Sequence, residues 1–375
     1  MLIAAIGVSA CAAESALDAP AGKAVVHRLR YASPYAASHP FSRADLSWIE
    51  YIERASDGRI RIEPFWAGAL LSSDQSMLEL RHQVADIGVI TPIYTRGGAH
   101  LLRAQAGFYA GARSFQTQVA VYKCLAREFP EFGRELAGLE VLAVQGGSLP
   151  SLLTRTKTVR TLADLSSLRL RAPVELTGIL RKLGADPVSM PMGEVYSALS
   201  KGIIDGVVAP ADALRSMHLA EVGRYFTQLE VPRGAYPARA MSTQAMRRLP
   251  EDLQALLATS GPLWEAAIER ELKTGLERGT SFGRERGVQW LALPVKEQRR
   301  FDASYNRGAL ESAHELSRYG VDGVPIFERA QALIARIEDG DAAACPHGER
   351  EARHTIGVQG EVTFAMGTAA TQARE

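Results

Sequence analysis

Between Val25 and Tyr94 the chain switches four times between two periodicities, and no other feature restricts its fold as strongly. "VVHRLRYAS" alternates with the two-residue period of a strand. "PFSRADLSWIEYIERASDG" follows as a helix, with Leu46, Ile49 and Ile52 at helical spacing and Gly58 as its stop. "RIRIEPFW" is a second strand, and "SSDQSMLELRHQVA" a second helix that Ser73 or Asp74 can cap. "DIGVITPIY" is a third strand, apolar enough to be buried on both faces. A βαβαβ run of this kind dictates right-handed crossovers and a parallel sheet.

A second α/β unit opens near Leu139. "LEVLAVQGG" is a strand, "TLADLSSL" a short turn with Thr161 and Asp164 spaced as a capping box, and "LRLRAP" a strand closed by Pro173. The helices "VELTGILRKLGAD" and "MGEVYSALSKG" follow, and then the strand "IIDGVVAP". Two similar units in tandem predict two lobes with a cleft between them. Ligands of open α/β sheets bind beyond the carboxyl ends of the strands, where such lobes face each other. "GPLWEAAIERELKTGLERGTSFGRERG" is a long amphipathic helix able to brace both lobes. Residues 341–375 carry no periodicity and read as a disordered tail.

The 375 residues are 46% hydrophobic and 23% charged, with net charge +1 and no basic stripe. That balance predicts a globular protein that handles small molecules and does not bind nucleic acid. The start, "MLIAAIGVSACAAESALDAPAGKA", resembles the apolar core and cleavage site of an export signal, without its positive flank. Cleavage after Ala10-Cys11-Ala12 gives a soluble exported protein; lipidation of Cys11 is the alternative. No later apolar run is long enough to span a membrane. Cys11, Cys124 and Cys345 suggest no structural disulfide, and Cys124 reads as core. "GGSLP" lacks the last glycine of a nucleophile elbow, no phosphate-binding glycine run follows a strand, and the eight histidines lack metal-ligand spacing. No catalysis, cofactor or metal is expected.

In "SSLRLRAPVEL", Arg169 and Arg171 alternate with Leu168, Leu170 and Ala172. With "LGADPVSMPMGEVYSALSKGIIDG" downstream, the stretch resembles the solute-binding proteins of tripartite ATP-independent periplasmic (TRAP) transporters, the DctP family. "SHPF" and "SDGRIRIEPFWAGALLSSDQSMLELRHQVADIGV" extend the likeness over roughly residues 25 to 335. The resemblance implies a two-lobe periplasmic binding protein of the type II kind, with hinge strands. Lobe I would take 24–146 and about 236–275, lobe II 147–235 and about 276–340 with the C-terminal helices, after a leader and linker at 1–23. It implies capture of an organic acid in the periplasm and delivery to a membrane permease. A sensor module for a signalling partner is the alternative, and a secreted enzyme a remote one.

By the same resemblance Arg171 forks onto the ligand carboxylate, whereas Arg169 is expected on the opposite strand face as a solvated charge. Pro173 shapes the strand end beside it. Met192 stacks on ligand or packs in the core; Tyr94 and Thr91 offer polar contacts after the third strand. Tyr35 and His39 lie in the first strand–helix loop, and His39 is equally readable as a cap. Gln145 and Ser148 open the second lobe. Arg233 either takes a second carboxylate or is a surface charge. "VVAP" stands where many members carry Glu-Asn-Pro or a metal-binding Glu-Trp, so this wall is expected to be apolar and free of metal.

Overall fold

The computed structural model describes residues 25–95 and 97–341. The expected leader, Cys11 and the tail from residue 342 lie outside them. Strands in chain order are β1 (His27–Ala32), β2 (Ile60–Phe65), β3 (Ile87–Val89), β4 (Leu139–Gln145), β5 (Ser151–Thr154) and β6 (Arg169–Arg171). They continue as β7 (Asp186–Val188), β8 (Gly206–Ala209), β9 (Tyr225–Gln228), β10 (Tyr236–Ser242) and β11 (Gln289–Ala292). The α/β expectation holds. Two mixed sheets form, one per lobe, in the orders β2-β1-β3-β10-β4 and β11-β9-β5-β8-β6-β7.

In lobe I, β1 runs parallel to β2 and β3, as the opening pattern requires, with His27 opposite Ile60. Strand β10 returns from the second lobe and inserts antiparallel between β3 and β4. In lobe II, β6 is parallel to β7 and β8, while β5 lies antiparallel to β8 and β9. Strands β5, β7, β9 and β11 are three or four residues long, too short for an alternating pattern to mark them.

The helix Pro40–Ala55 begins with proline at its first position and His39 as N-cap. It buries Ala44, Trp48 and Ile52 against lobe I and against the long helix Gly261–Glu285. Trp48 and Trp264 stack 3.8 Å apart at that seam. Trp264, Ile268 and Leu272 fix the first half of the long helix to lobe I. Its second half presents Gly275, Gly279 and Gly283 to residues 211–214 of lobe II. A Cβ at Gly279 would stand 2.2 Å from the Ala211 carbonyl oxygen, so only glycine admits this approach.

The C-terminal helices do not all join lobe II. Val295–Glu315 sets Phe301 and Tyr305 into the lobe II core but Ala309 and Ala313 into that of lobe I. Gly323–Glu338 packs Ile326, Ala330 and Leu333 wholly on lobe I, where its apolar stripe meets the helix Phe115–Glu128 in one core. Cys124 is buried there as expected, but it is disulfide-bonded, against the sequence expectation of a thiol. No described helix is long and apolar enough to cross a membrane.

Candidate functional site

Arg169 and Arg171 share one face of β6, since a period of two returns every second side chain to the same side. The expectation of opposite faces is therefore corrected: position along the strand separates them. Arg169 is exposed and 3.7 Å from Asp186, which is exposed too, a pair of little energetic weight. Arg171, at the strand's carboxyl end, is 3% exposed.

Arg171 Nε donates to the Met190 carbonyl at 3.0 Å, Nη1 to that of Val208 at 3.4 Å, and Nη2 to the Tyr94 hydroxyl at 2.6 Å. Tyr94 belongs to lobe I, so the last bond crosses the cleft. All three partners are neutral, and no carboxylate of the described residues lies within 4.0 Å. A guanidinium has five N–H groups, which leaves one on each terminal nitrogen for a further acceptor. Burial of an unpaired cation is costly, and an arriving carboxylate would offset that cost.

Around Arg171 the two lobes form a cavity that opens partly to solvent. Tyr35, His39, Tyr94, Pro173, Met192 and Arg233 all line this space, with Arg171. Tyr35 stacks on His39, ring centroids 4.4 Å apart, and meets Phe41 edge-on. His39 Nδ1 accepts the Phe41 N–H at 3.2 Å, so His39 is both cap and wall. Burial, with Arg43 and Arg239 nearby, lowers its pKa to about 3 and keeps it neutral. Met192 likewise combines both of its readings, packing on the lobe II core while touching the cavity. Arg233 is half-buried, its guanidinium lying over Gly147, where a Cβ would fall 2.4 Å from Cζ.

Thr91, Gln145 and Ser148 do not line the cavity. The Thr91 hydroxyl donates to the Ser73 carbonyl, and its N–H donates to Ser76 Oγ at 3.1 Å, which secures the loop beneath Tyr94. Gln145 turns into lobe I, donating to the Tyr236 hydroxyl at 2.9 Å and accepting from Arg239. Ser148 lines a separate cleft on the far side.

Three polar cavity residues escaped the sequence reading: Tyr236, Glu175 and Asp212. Burial raises all three, Glu175 to about 7 and Asp212 to about 6, while Arg233 pulls each back. Glu175 in a first helical turn reads as an ordinary dipole-favoured acid, and Asp212 lies in a segment without pattern. Val208 contributes its carbonyl and side chain to the wall. Among the described residues no group of three or more His, Cys, Asp or Glu could hold a metal ion.

Two α/β lobes joined by crossing segments and a shared helix, with a cleft around a buried guanidinium, define a two-lobed solute-binding protein. The family model of bacterial extracellular solute-binding proteins, family 7 (DctP), matches residues 32–307, and the chain belongs to that family. A solute-binding protein of Roseobacter denitrificans is 35% identical over 130 residues, which cover 34% of this chain and 38% of the relative. Similarity in fold extends to a TRAP solute-binding protein from Rhodoferax ferrireducens solved with copurified benzoate. That likeness has a TM-score of 0.77 at 24% identity and covers 84% of this chain and 100% of that one. A TRAP periplasmic solute-binding protein from Sulfitobacter, solved with β-D-galacturonate, gives 0.65 at 17% identity, covering 80% of this chain and 99% of the other.

Proposed function

We propose that this chain captures an organic acid in the periplasm, holds it by Arg171 between its lobes, and delivers it to the membrane permease of a TRAP transporter. The observation that carries this reading is a guanidinium 3% exposed, bonded only to neutral groups, at the floor of the cleft. A carboxylate would complete its hydrogen bonding and cancel its charge in one step. Family membership and the acid-bound relatives give the reading its biological setting.

The rest of the wall favours an apolar body on that acid. Tyr35, Phe41, Tyr94, Leu176, Met192, Val208 and Tyr236 offer rings and aliphatic surface, better suited to an aromatic or branched monocarboxylate than to a sugar acid. Closure over the ligand is a hinge motion, and Tyr94 is the lobe I residue that meets Arg171 when the cleft shuts.

A thermal-shift screen of mono- and dicarboxylates tests the reading, together with mass spectrometry of whatever copurifies. The native acid should raise the melting temperature of the wild type and leave Arg171→Ala unmoved. Binding by Arg171→Ala as tight as wild type would exclude Arg171 as the anchor.

A further inference from the structure

The geometry points to a second polar subsite in the same cavity, at Glu175 and Asp212, that accepts a neutral hydrogen-bond donor on the ligand and rejects a second carboxylate. It rests on the reading of Arg171 as the carboxylate anchor. Glu175 stands four residues beyond Arg171, in the first turn of the helix Val174–Lys182. Asp212 follows β8, whose Val208 carbonyl touches Arg171. Both line the cavity.

Each acid carries an oxygen without a partner. Glu175 Oε2 and Asp212 Oδ1 are buried and accept no hydrogen bond, and Asp212 as a whole is 5% exposed. Buried acceptors in folded proteins are nearly always satisfied, so two orphans lining one cavity are suited to a donor that arrives with the ligand. No cation lies within 4.0 Å of either carboxyl among the described residues. Asp212 also borders a neighbouring cleft of Arg43, Arg215 and Arg278, again without an ion pair.

The surrounding charges select the kind of donor. An ammonium group would enter the fields of Arg171 and Arg233, neither of which has a carboxylate partner among the described residues. A second carboxylate would meet two acids already short of solvation, and like charges sharing a desolvated site repel. Arg233 does not reverse this, because its charge already acts on both carboxyls. A hydroxyl carries no charge and donates to a carboxylate oxygen. The unpartnered Tyr305 hydroxyl, beside Glu175, can in turn donate to it once a ligand orders the wall. The ligand class is thus a hydroxylated monocarboxylate with an apolar body.

Calorimetric titration at pH 7.5 tests this with benzoate, 3-hydroxybenzoate and isophthalate, and with pentanoate, 5-hydroxypentanoate and glutarate. In at least one series the hydroxy acid should bind about tenfold or more tighter than the plain acid, and the diacid about tenfold weaker. Glu175→Gln, which keeps shape without charge, should narrow the diacid penalty. Glu175→Leu should remove the hydroxyl preference, with Asp212→Asn as the companion variant. Equal affinity for plain and hydroxylated acids, or a diacid that binds as well as either, overturns the subsite. If such a result comes with binding lost in Arg171→Met, only the subsite fails. If no acid of either series binds, or Arg171→Met binds them all as wild type does, the anchor fails and the subsite with it.

Discussion

Among the described residues two arginines lie buried, and their surroundings are opposite. Arg239, in the interior strand β10, is 0% exposed and meets Asp45 Oδ1 at 2.9 Å, with Gln145 accepting from a second nitrogen. Phe41 and Trp264 flank it at 5.6 and 5.7 Å, and Trp264 also donates to Asp45. Burial alone would lower its pKa, but the Asp45 charge more than offsets this and the net shift is upward. Arg171 is nearly as buried and has no such partner among the described residues. A guanidinium given its own carboxylate holds lobe I together; one left with neutral partners has donors to spare for an anion from outside, the role proposed for Arg171.

The sharpest way to break that contrast is to exchange the consequences. Arg239→Met should cost about 3–5 kcal/mol of folding stability, because it strands Asp45 as a buried charge. Denaturant unfolding measures it, and an unchanged midpoint would remove the distinction. Arg171→Met should leave the ligand-free unfolding midpoint near wild type. Its loss should appear in binding instead, about 2–5 kcal/mol by calorimetry.

The next effect is smaller and depends on pH. Glu175 rises from its ordinary 4.5 to about 7 and Asp212 from 3.8 to about 6, so the native state holds protons that the unfolded chain has released. Their contribution is present below pH 4 and disappears as pH rises through 6 to 7, on the order of 1–3 kcal/mol. His39 works the other way: it is held neutral down to about 3, and its contribution is lost as pH falls below 6.5. The difference between wild-type and Glu175→Gln stability profiles isolates the acid, and it should slope between pH 5 and 7.5. Parallel profiles would mean that Glu175 is solvated. Least of all, Tyr94→Phe deletes one neutral partner of Arg171. It should cost about 1 kcal/mol of closure and widen the ligand-free scattering envelope, with carboxylate binding retained.

Periodicity carried the sequence reading a long way. The βαβαβ alternation was enough for the parallel core of lobe I, and the first strand–helix loop delivered Tyr35 and His39 to the cavity. Alternation could not separate Arg169 from Arg171, which share a face; only the lobe closing over the strand end does that. Gln145 was misplaced because the last residue of a strand can turn to either side, and here Arg239 and Tyr236 draw it inward. Glu175 and Asp212 had no local signature at all, since their peculiarity is the water they lack. The short strands of lobe II pair through register with distant neighbours, which no window of sequence contains.

The insertion of β10 between β3 and β4 also governs the order in which the molecule can assemble. Strand β4 joins its sheet only through β10, and β10 spans Tyr236–Ser242, after every lobe II strand but β11. As the chain emerges from the ribosome, lobe I therefore has a sheet it cannot finish, with β3 and β4 awaiting a strand that comes long after both. Pairings of such long sequence separation are slow. A newborn chain consequently lingers without a completed first lobe, the condition in which a polypeptide is most easily threaded across a membrane before it folds.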